Sequence, residues 1–399
     1  MGVTMVVWTP FAEAETADIR STDLPTILRI DWKLGPDLPR GFQDSEVAVI
    51  HDTLISVAGF CSGEQGVTGK PDKYPRGFMQ SVWGLPVNNT DHGAWQMLPD
   101  FPGDARQGLS GAVVNNAFYA WGGFSYSAPY CYRDGYKLSR AGEGWRWDKL
   151  PDLPWAVAGA GVARSGSKVF LMGGAEYDVE RFKTNTSVDS KPEGRGARLL
   201  VFDTDKPGGG WRELPSCPGT PRWVHAFAEV DGSLYVIGGA TGSDNEAGGY
   251  YTVVDNWRYN IADEKWERLA DLPISSANFP DGRIVFDNRY ILLIGGYPYS
   301  KVQNPDGTLR EPYGEPYRYY PDVSLYSDIF VYDTKTNTFG KATPMPLNNN
   351  LPSSVIEGNR LFMIGGEIEK AEIEGVHFGH HPDLLLIGEI SDADSESAD

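Results

Sequence analysis

Cysteine is scarce. Cys61, Cys131 and Cys217 are too few and too scattered for a disulfide framework or a structural zinc site. Positive charge is also short: 35 lysines and arginines face 54 acids, a formal net charge of −19. A phosphate-backbone or anionic-membrane surface would need a basic patch, so no nucleic-acid and no membrane partner is expected. The acidity serves solubility. No apolar run approaches the ~20 residues of a membrane span. The opening MGVTMVVWTPFAEAETADIR has no basic stretch before its short apolar part, so no secretory signal is read there. The expected compartment is the cytoplasm, or the periplasm if a leader was trimmed. G-x-S-x-G, H-E-x-x-H and P-loop patterns are missing too, and no cofactor or metal is expected.

What is present is a repeat. The stretch SLYVIGGA alternates like a half-buried strand, then ends on Gly238-Gly239, a pair that costs backbone entropy and packs nothing. FYAWGGF, KVFLMGGA, YILLIGGY and RLFMIGGE do the same, and LISVAGF does so with one glycine replaced. Each pair follows an aromatic anchor in a W-x-x-L-x-x-L-P setting: Trp32, Trp95, Trp147, Trp211, Trp266 and, degraded, Phe339. From anchor to second glycine the spacing stays between 27 and 30 residues, while from glycine to next anchor it ranges from 24 to 43. The constant half is scaffold, and the elastic half carries loops free to hold function. Each repeat reads as four strands, with a tight turn before the glycine strand and a VYD- or VFD-type strand before the tryptophan strand. Units of this kind stacked radially bury each other's faces, and only glycine lets backbones converge at their narrow centre.

The glycine doublet, the VYD or VFD strand and the Trp-x-x-Leu strand together resemble the Kelch repeat, from about residue 27 to 390. The resemblance implies an all-β, six-bladed Kelch β-propeller. The last repeat lacks a trailing tryptophan strand, and TILRIDWKL near the N-terminus is such a strand without partners, so residues 26–33 are expected to complete the last blade. This makes one domain over 26–390, with an N-terminal extension at 1–25 and an acidic, disordered tail at 391–399.

In this strand order the loops after the Gly-Gly strand and after the tryptophan strand share one end, and the tight turns lie at the other. His225, His377, His380 and His381 belong to the loop-rich end. His51 and His92 fall in or near the short turns. Arg40, Arg106 and Arg222 follow tryptophan strands. They either pin neighbouring loops or aim guanidiniums at a central funnel, where they would capture a carboxylate. Trp223 shares a strand with Arg222. Tyr177, Tyr317 and Tyr320 sit in long loops, where they either pack the loop or stack on a sugar or a partner. GVHFGHHPD matches no zinc signature. CYRDGY resembles the Cys-Tyr pair of Kelch copper radical oxidases, but the rest of that site has no counterpart here and it is set aside.

Within Kelch propellers, the long insertion running into SLYSDIFVYD, the last blade reading RLFMIGGE and the charged insertion after KVFLMGGA resemble the bacterial N-acetylneuraminate epimerases, which are sialic acid mutarotases. The resemblance implies interconversion of the anomers of an acidic sugar. A base removes the anomeric hydroxyl proton while an acid protonates the ring oxygen. Glu193, Glu176 and His225 are the acid/base candidates, and Arg222 and Arg195 the carboxylate holders. Arg106, Arg40, Trp223, Tyr177, Tyr317, Tyr320, His380 and His381 line the same end. Two alternatives stay open: a non-catalytic Kelch module binding protein or glycan, and a uronate-glycan lyase or hydrolase using the same residue types. The expected partner is a small acidic sugar or glycan, and a homo-oligomer is compatible with the sequence.

Overall fold

The computed structural model describes residues 23–61, 63, 76–90, 93–176, 194–242, 250–274, 284–298, 301–311, 325–350, 352–369, 371–373, 375–378 and 380–393. The protein is all-β. Its described helical elements, Val87–Asn89, Arg195–Ala197 and Pro207–Gly209, are single 3-10 turns, and no helix among the described residues is long and apolar enough to cross a membrane. Glu46–Ile50, Thr53–Cys61, Gly77–Pro86 and Gln96–Leu98 pair in chain order as a four-stranded antiparallel meander. Three more follow, at Ser110–Val114 to Gly144–Leu150, Gly161–Ser165 to Trp211–Leu214 and Ala226–Val230 to Lys265–Arg268. The final eight-stranded sheet joins two meanders edge to edge. One runs from Val285–Phe286 through Thr338–Ala342. The other comprises Ser353–Glu357, Arg360–Ile364, Leu385–Asp392 and, on the outside, the N-terminal strand Thr26–Leu34. That strand lies antiparallel to Leu385–Asp392, with Leu28 opposite Asp392 and Leu34 opposite Leu386. It also touches Thr338–Ala342 in parallel.

The second strand of each meander is mostly apolar because it is covered on both faces: Ala117–Trp121, Ser233–Ile237 and Tyr290–Ile294 are buried at every residue, and Lys168–Met172 and Arg360–Ile364 at every residue after the first. First strands differ at one place. Val49, Val113, Arg164, Glu229, Val285 and Ile356, one from each of the six meanders, line a common cavity of about 390 Å³ at the tight-turn end.

The glycine doublets lie where neighbouring meanders touch. Gly238 and Gly239 have φ of 61° and 102°, in the left-handed region that favours glycine. A Cβ on Gly239 would stand 2.6 Å from the His225 Cβ and 2.8 Å from the Trp223 carbonyl. The second glycine also donates its N–H to the following meander: Gly59 to Arg106 O, Gly123 to Val157 O, Gly174 to Arg222 O and Gly296 to Asn349 O. Gly366, in the last meander, donates to Phe42 O just before the first.

Four of the anchor tryptophans act the same way at the rim, while Trp211, whose indole N–H has no hydrogen-bond partner among the described residues, packs on Trp121 at 4.9 Å. The indole N–H of Trp95 donates to Pro36 O, Trp147 to Pro99 O, Trp266 to Pro215 O and Trp32 to Pro344 O. Each reaches the Leu-Pro segment of the preceding repeat, which is why tryptophan and proline recur together at fixed spacing.

Candidate functional site

Backbone bridges bring the two loop sets to one end. Gln43 pairs with Phe60, Gln107 with Phe124, Ala158 with Ala175, Trp223 with Ala240 and Asn350 with Glu367. The five residues that follow the tryptophan strands in these bridges are not alike. Gln43, Gln107 and Asn350 are polar, and they come from the first, second and sixth meanders. Ala158 and Trp223 are apolar, and they come from the third and fourth. The chemistry gathers on the polar side.

Asp44, φ 52°, is half-buried there and accepts a hydrogen bond from the Gln107 side-chain N–H at 2.8 Å. Burial, reinforced by the nearby Glu367 charge, pushes its carboxyl up to about 7. Glu367 is buried and goes the other way. Burial opposes its charge, but hydrogen bonds from His380 and Asn350 outweigh that and hold it below the ordinary carboxylate range. Asn350 Nδ2 donates at 3.0 Å and His380 Nε2 lies 3.2 Å from Oε1. His380 Nδ1 faces the Ile368 carbonyl at 3.0 Å. Both ring nitrogens thus face acceptors, an arrangement that favours an imidazolium paired with the Glu367 carboxylate. His381 stacks on His380 at 4.8 Å, and its Nδ1 has no hydrogen-bond partner among the described residues. Burial first, then the His380 charge, push it down to about 4, so it is neutral. A carboxyl pushed up towards neutrality beside one held ionised is the kind of divergent pair that general acid–base chemistry uses.

One wall of the cluster is aromatic. Phe60 lies 6.1 Å from His381, 5.1 Å from Phe78 and 6.2 Å from Tyr126. Phe124 adjoins Phe78 at 6.3 Å. Tyr126 is 54% exposed. Among the described residues no group of three or more His, Cys, Asp or Glu is placed to hold a metal ion.

The residues expected from the sequence scatter differently. Arg222 is fully buried. Its Nε donates to Thr220 O at 2.8 Å, Nη1 to Gly238 O at 3.1 Å and Asp255 O at 2.6 Å, and Nη2 to Asp255 Oδ2 at 2.6 Å. Asp255 is buried too, but Arg222 holds its carboxyl below the usual range against the burial. A guanidinium committed in this way is not a clamp at a funnel mouth, and the geometry is that of a pin. Arg106 repeats the arrangement on Asp104 O, Gly122 O and the Asp134 carboxylate, with Tyr132 3.5 Å from its guanidinium carbon. Asn349 does the same for Gly365 O at 3.1 Å. Arg40 falls outside this register, because Phe42 occupies the corresponding place.

His225 is 1% exposed, and neither ring nitrogen has a hydrogen-bond partner among the described residues. Burial, then the Arg222 charge, push it down to about 3. It is a neutral packing residue, filling the space that Gly161 and Gly239 leave. Trp223 is buried against Tyr250 at 5.5 Å. Glu176 and Arg195 are both partly exposed and pair at 2.9 Å, as groups at the loop-rich end. His377 lies on the strand Val376–Phe378. Glu193, Tyr177, Tyr317 and Tyr320 lie outside the described residues. Sequence reasoning missed Asp44, Gln107, Asn350 and Glu367. One signal was there: Glu367 is the only charge directly after a Gly-Gly doublet, where other repeats carry Phe124, Ala175, Ala240 or Tyr297.

Comparison with known proteins agrees with the sequence resemblance. No family model matches the chain. N-acetylneuraminate epimerase of Haemophilus influenzae (strain 86-028NP) is 23% identical over 362 residues, 84% of this chain and 88% of the relative. The protein of the same name from Pasteurella multocida (strain Pm70) is 22% identical over 363 residues, with the same shares covered. Among solved structures, one titled "Structure of YjhT" superposes with a TM-score of 0.60 at 18% identity, covering 87% of this chain and 95% of that one. The chain is similar to the N-acetylneuraminate epimerases over most of its length and shares its fold with that structure.

Proposed function

We propose that residues 26–390 form a six-bladed propeller, closed by Thr26–Leu34, that interconverts the anomers of a small acidic sugar at its loop-rich end. Two ring-closing contacts support the architecture: Gly366 N–H on Phe42 O and Trp95 on Pro36 O. The chemistry rests on one observation, the pairing of Asp44, whose carboxyl is pushed up to about 7, with the hydrogen-bonded, ionised Glu367. In this reading protonated Asp44 gives its proton to the ring oxygen while Glu367 takes the anomeric hydroxyl proton. The ring opens, the carbonyl turns, and re-closure on the other face reverses both transfers. Gln107 orients the Asp44 carboxyl, and Asn350 with His380 holds Glu367 still. The aromatic wall covers the sugar's apolar face, and the Glu176–Arg195 pair supplies further polar contacts. An acidic sugar such as a sialic acid follows from the relatives' name.

Exchange spectroscopy by NMR on a panel of acidic and neutral sugars tests this reading. Acceleration of anomer exchange for at least one acidic sugar is the expected result. Binding without acceleration would instead favour a glycan-binding module, a reading to which the exposed Tyr126 ring lends itself.

A further inference from the structure

The pins at Arg222 and Arg106 leave an acidic substrate without its expected anchor. We infer that Arg76 is the specificity-determining residue that captures the substrate's carboxylate, beside the aromatic wall and the Asp44–Glu367 cluster. This rests on the sugar reading above and adds to it the group that selects an anion.

Arg76 is exposed at the start of the strand Gly77–Pro86. Its guanidinium carbon stands 5.5 Å from the centre of the Phe60 ring, and it has no carboxylate partner among the described residues. Arg106 and Arg222 are fully engaged with protein acceptors, and Arg195 is engaged with Glu176. Phe60 links Arg76 to the acid–base cluster: its backbone pairs with Gln43, next to Asp44, and its ring lies 6.1 Å from His381. The positive charge of Arg76 is felt at His381, where it helps keep that ring neutral. From Arg76 the line of groups runs through His381 and His380 to Glu367. A guanidinium resting on an aromatic face keeps its N–H edge free for a bidentate carboxylate. In a 2-keto sugar acid the carboxylate is bonded to the anomeric carbon, so the anchor would hold the reacting carbon itself.

N-acetylneuraminate and its methyl ester, identical but for the charge, separate this inference from the reading beneath it. Titration calorimetry on the wild type and on Arg76→Gln is the experiment. The wild type should prefer the free acid by about tenfold or more, the worth of a charge-assisted pair. Arg76→Gln should bind acid and ester alike, at the ester's affinity, with an unchanged melting temperature because the residue is exposed. Undiminished preference for the acid in Arg76→Gln overturns the anchor and leaves the sugar site standing. Absence of binding to either compound by the wild type overturns both.

Discussion

At the scale of the residue, position decides what a side chain can do. Arg222 and Arg76 carry the same guanidinium, but one is spent on Thr220, Gly238 and Asp255 while the other lies open on Phe60. Replacing Arg222 by lysine keeps the charge and loses the fork that serves three backbone carbonyls and a carboxylate at once. It should lower stability by about 2–3 kcal/mol, through the charge-assisted hydrogen bonds that an ammonium cannot make from that position, with affinity for acidic sugars unchanged. Calorimetric unfolding beside a binding titration checks this, and weakened binding at wild-type stability would restore Arg222 to the site. The candidate residues were legible in part. His380 and His381 stand out as a histidine cluster, and Glu367 as a charge after a glycine doublet. Asp44 does not, because what distinguishes it is burial and the Glu367 charge, which are properties of the folded neighbourhood. His225 shows the converse, a catalytic residue type that burial makes inert.

At the scale of the element, the repeat was legible because each of its constant residues makes a contact with the neighbouring unit. Gly59, Gly123, Gly174, Gly296 and Gly366 bond the next meander through their N–H groups, and Trp32, Trp95, Trp147 and Trp266 bond the preceding one through their indoles. The exceptions also have causes. Phe339 has no indole N–H to give, and Phe42 stands where Arg106 and Arg222 stand elsewhere, which is why Arg40 lies out of register. The N-terminal strand carries the most consequence. Thr26–Leu34 covers the edge of Leu385–Asp392 along seven residue pairs. Deleting residues 1–34 should leave that edge unpaired and drive aggregation, read by light scattering. A monomeric truncation with the wild-type melting temperature would show that the strand is dispensable.

At the scale of the whole molecule, near-identical units have been made unequal at one end. Where the first, second and sixth meanders meet, Gln43, Gln107 and Asn350 surround carboxylates, while Ala158 and Trp223 keep the third and fourth sides apolar. A repeat scaffold supplies the rigidity, and a few substitutions at equivalent positions make the proposed site. Proton transfer by Asp44 carries the proposed chemistry. Its carboxyl lies above the ordinary range, so the neutral acid persists up to about pH 7 and is lost as pH rises through that value. Glu367, held below its ordinary range, stays ionised at the same pH. The most direct measurement is therefore the pH dependence of anomer exchange for an acidic sugar, by NMR, in the wild type and in Asp44→Asn. The catalysed rate should be flat in mildly acidic solution and fall as pH rises through about 7. Asp44→Asn should lose about a hundredfold or more, with that limb gone. A catalysed rate that passes through neutrality unchanged, or an Asp44→Asn chain as active as the wild type, would contradict proton transfer by Asp44.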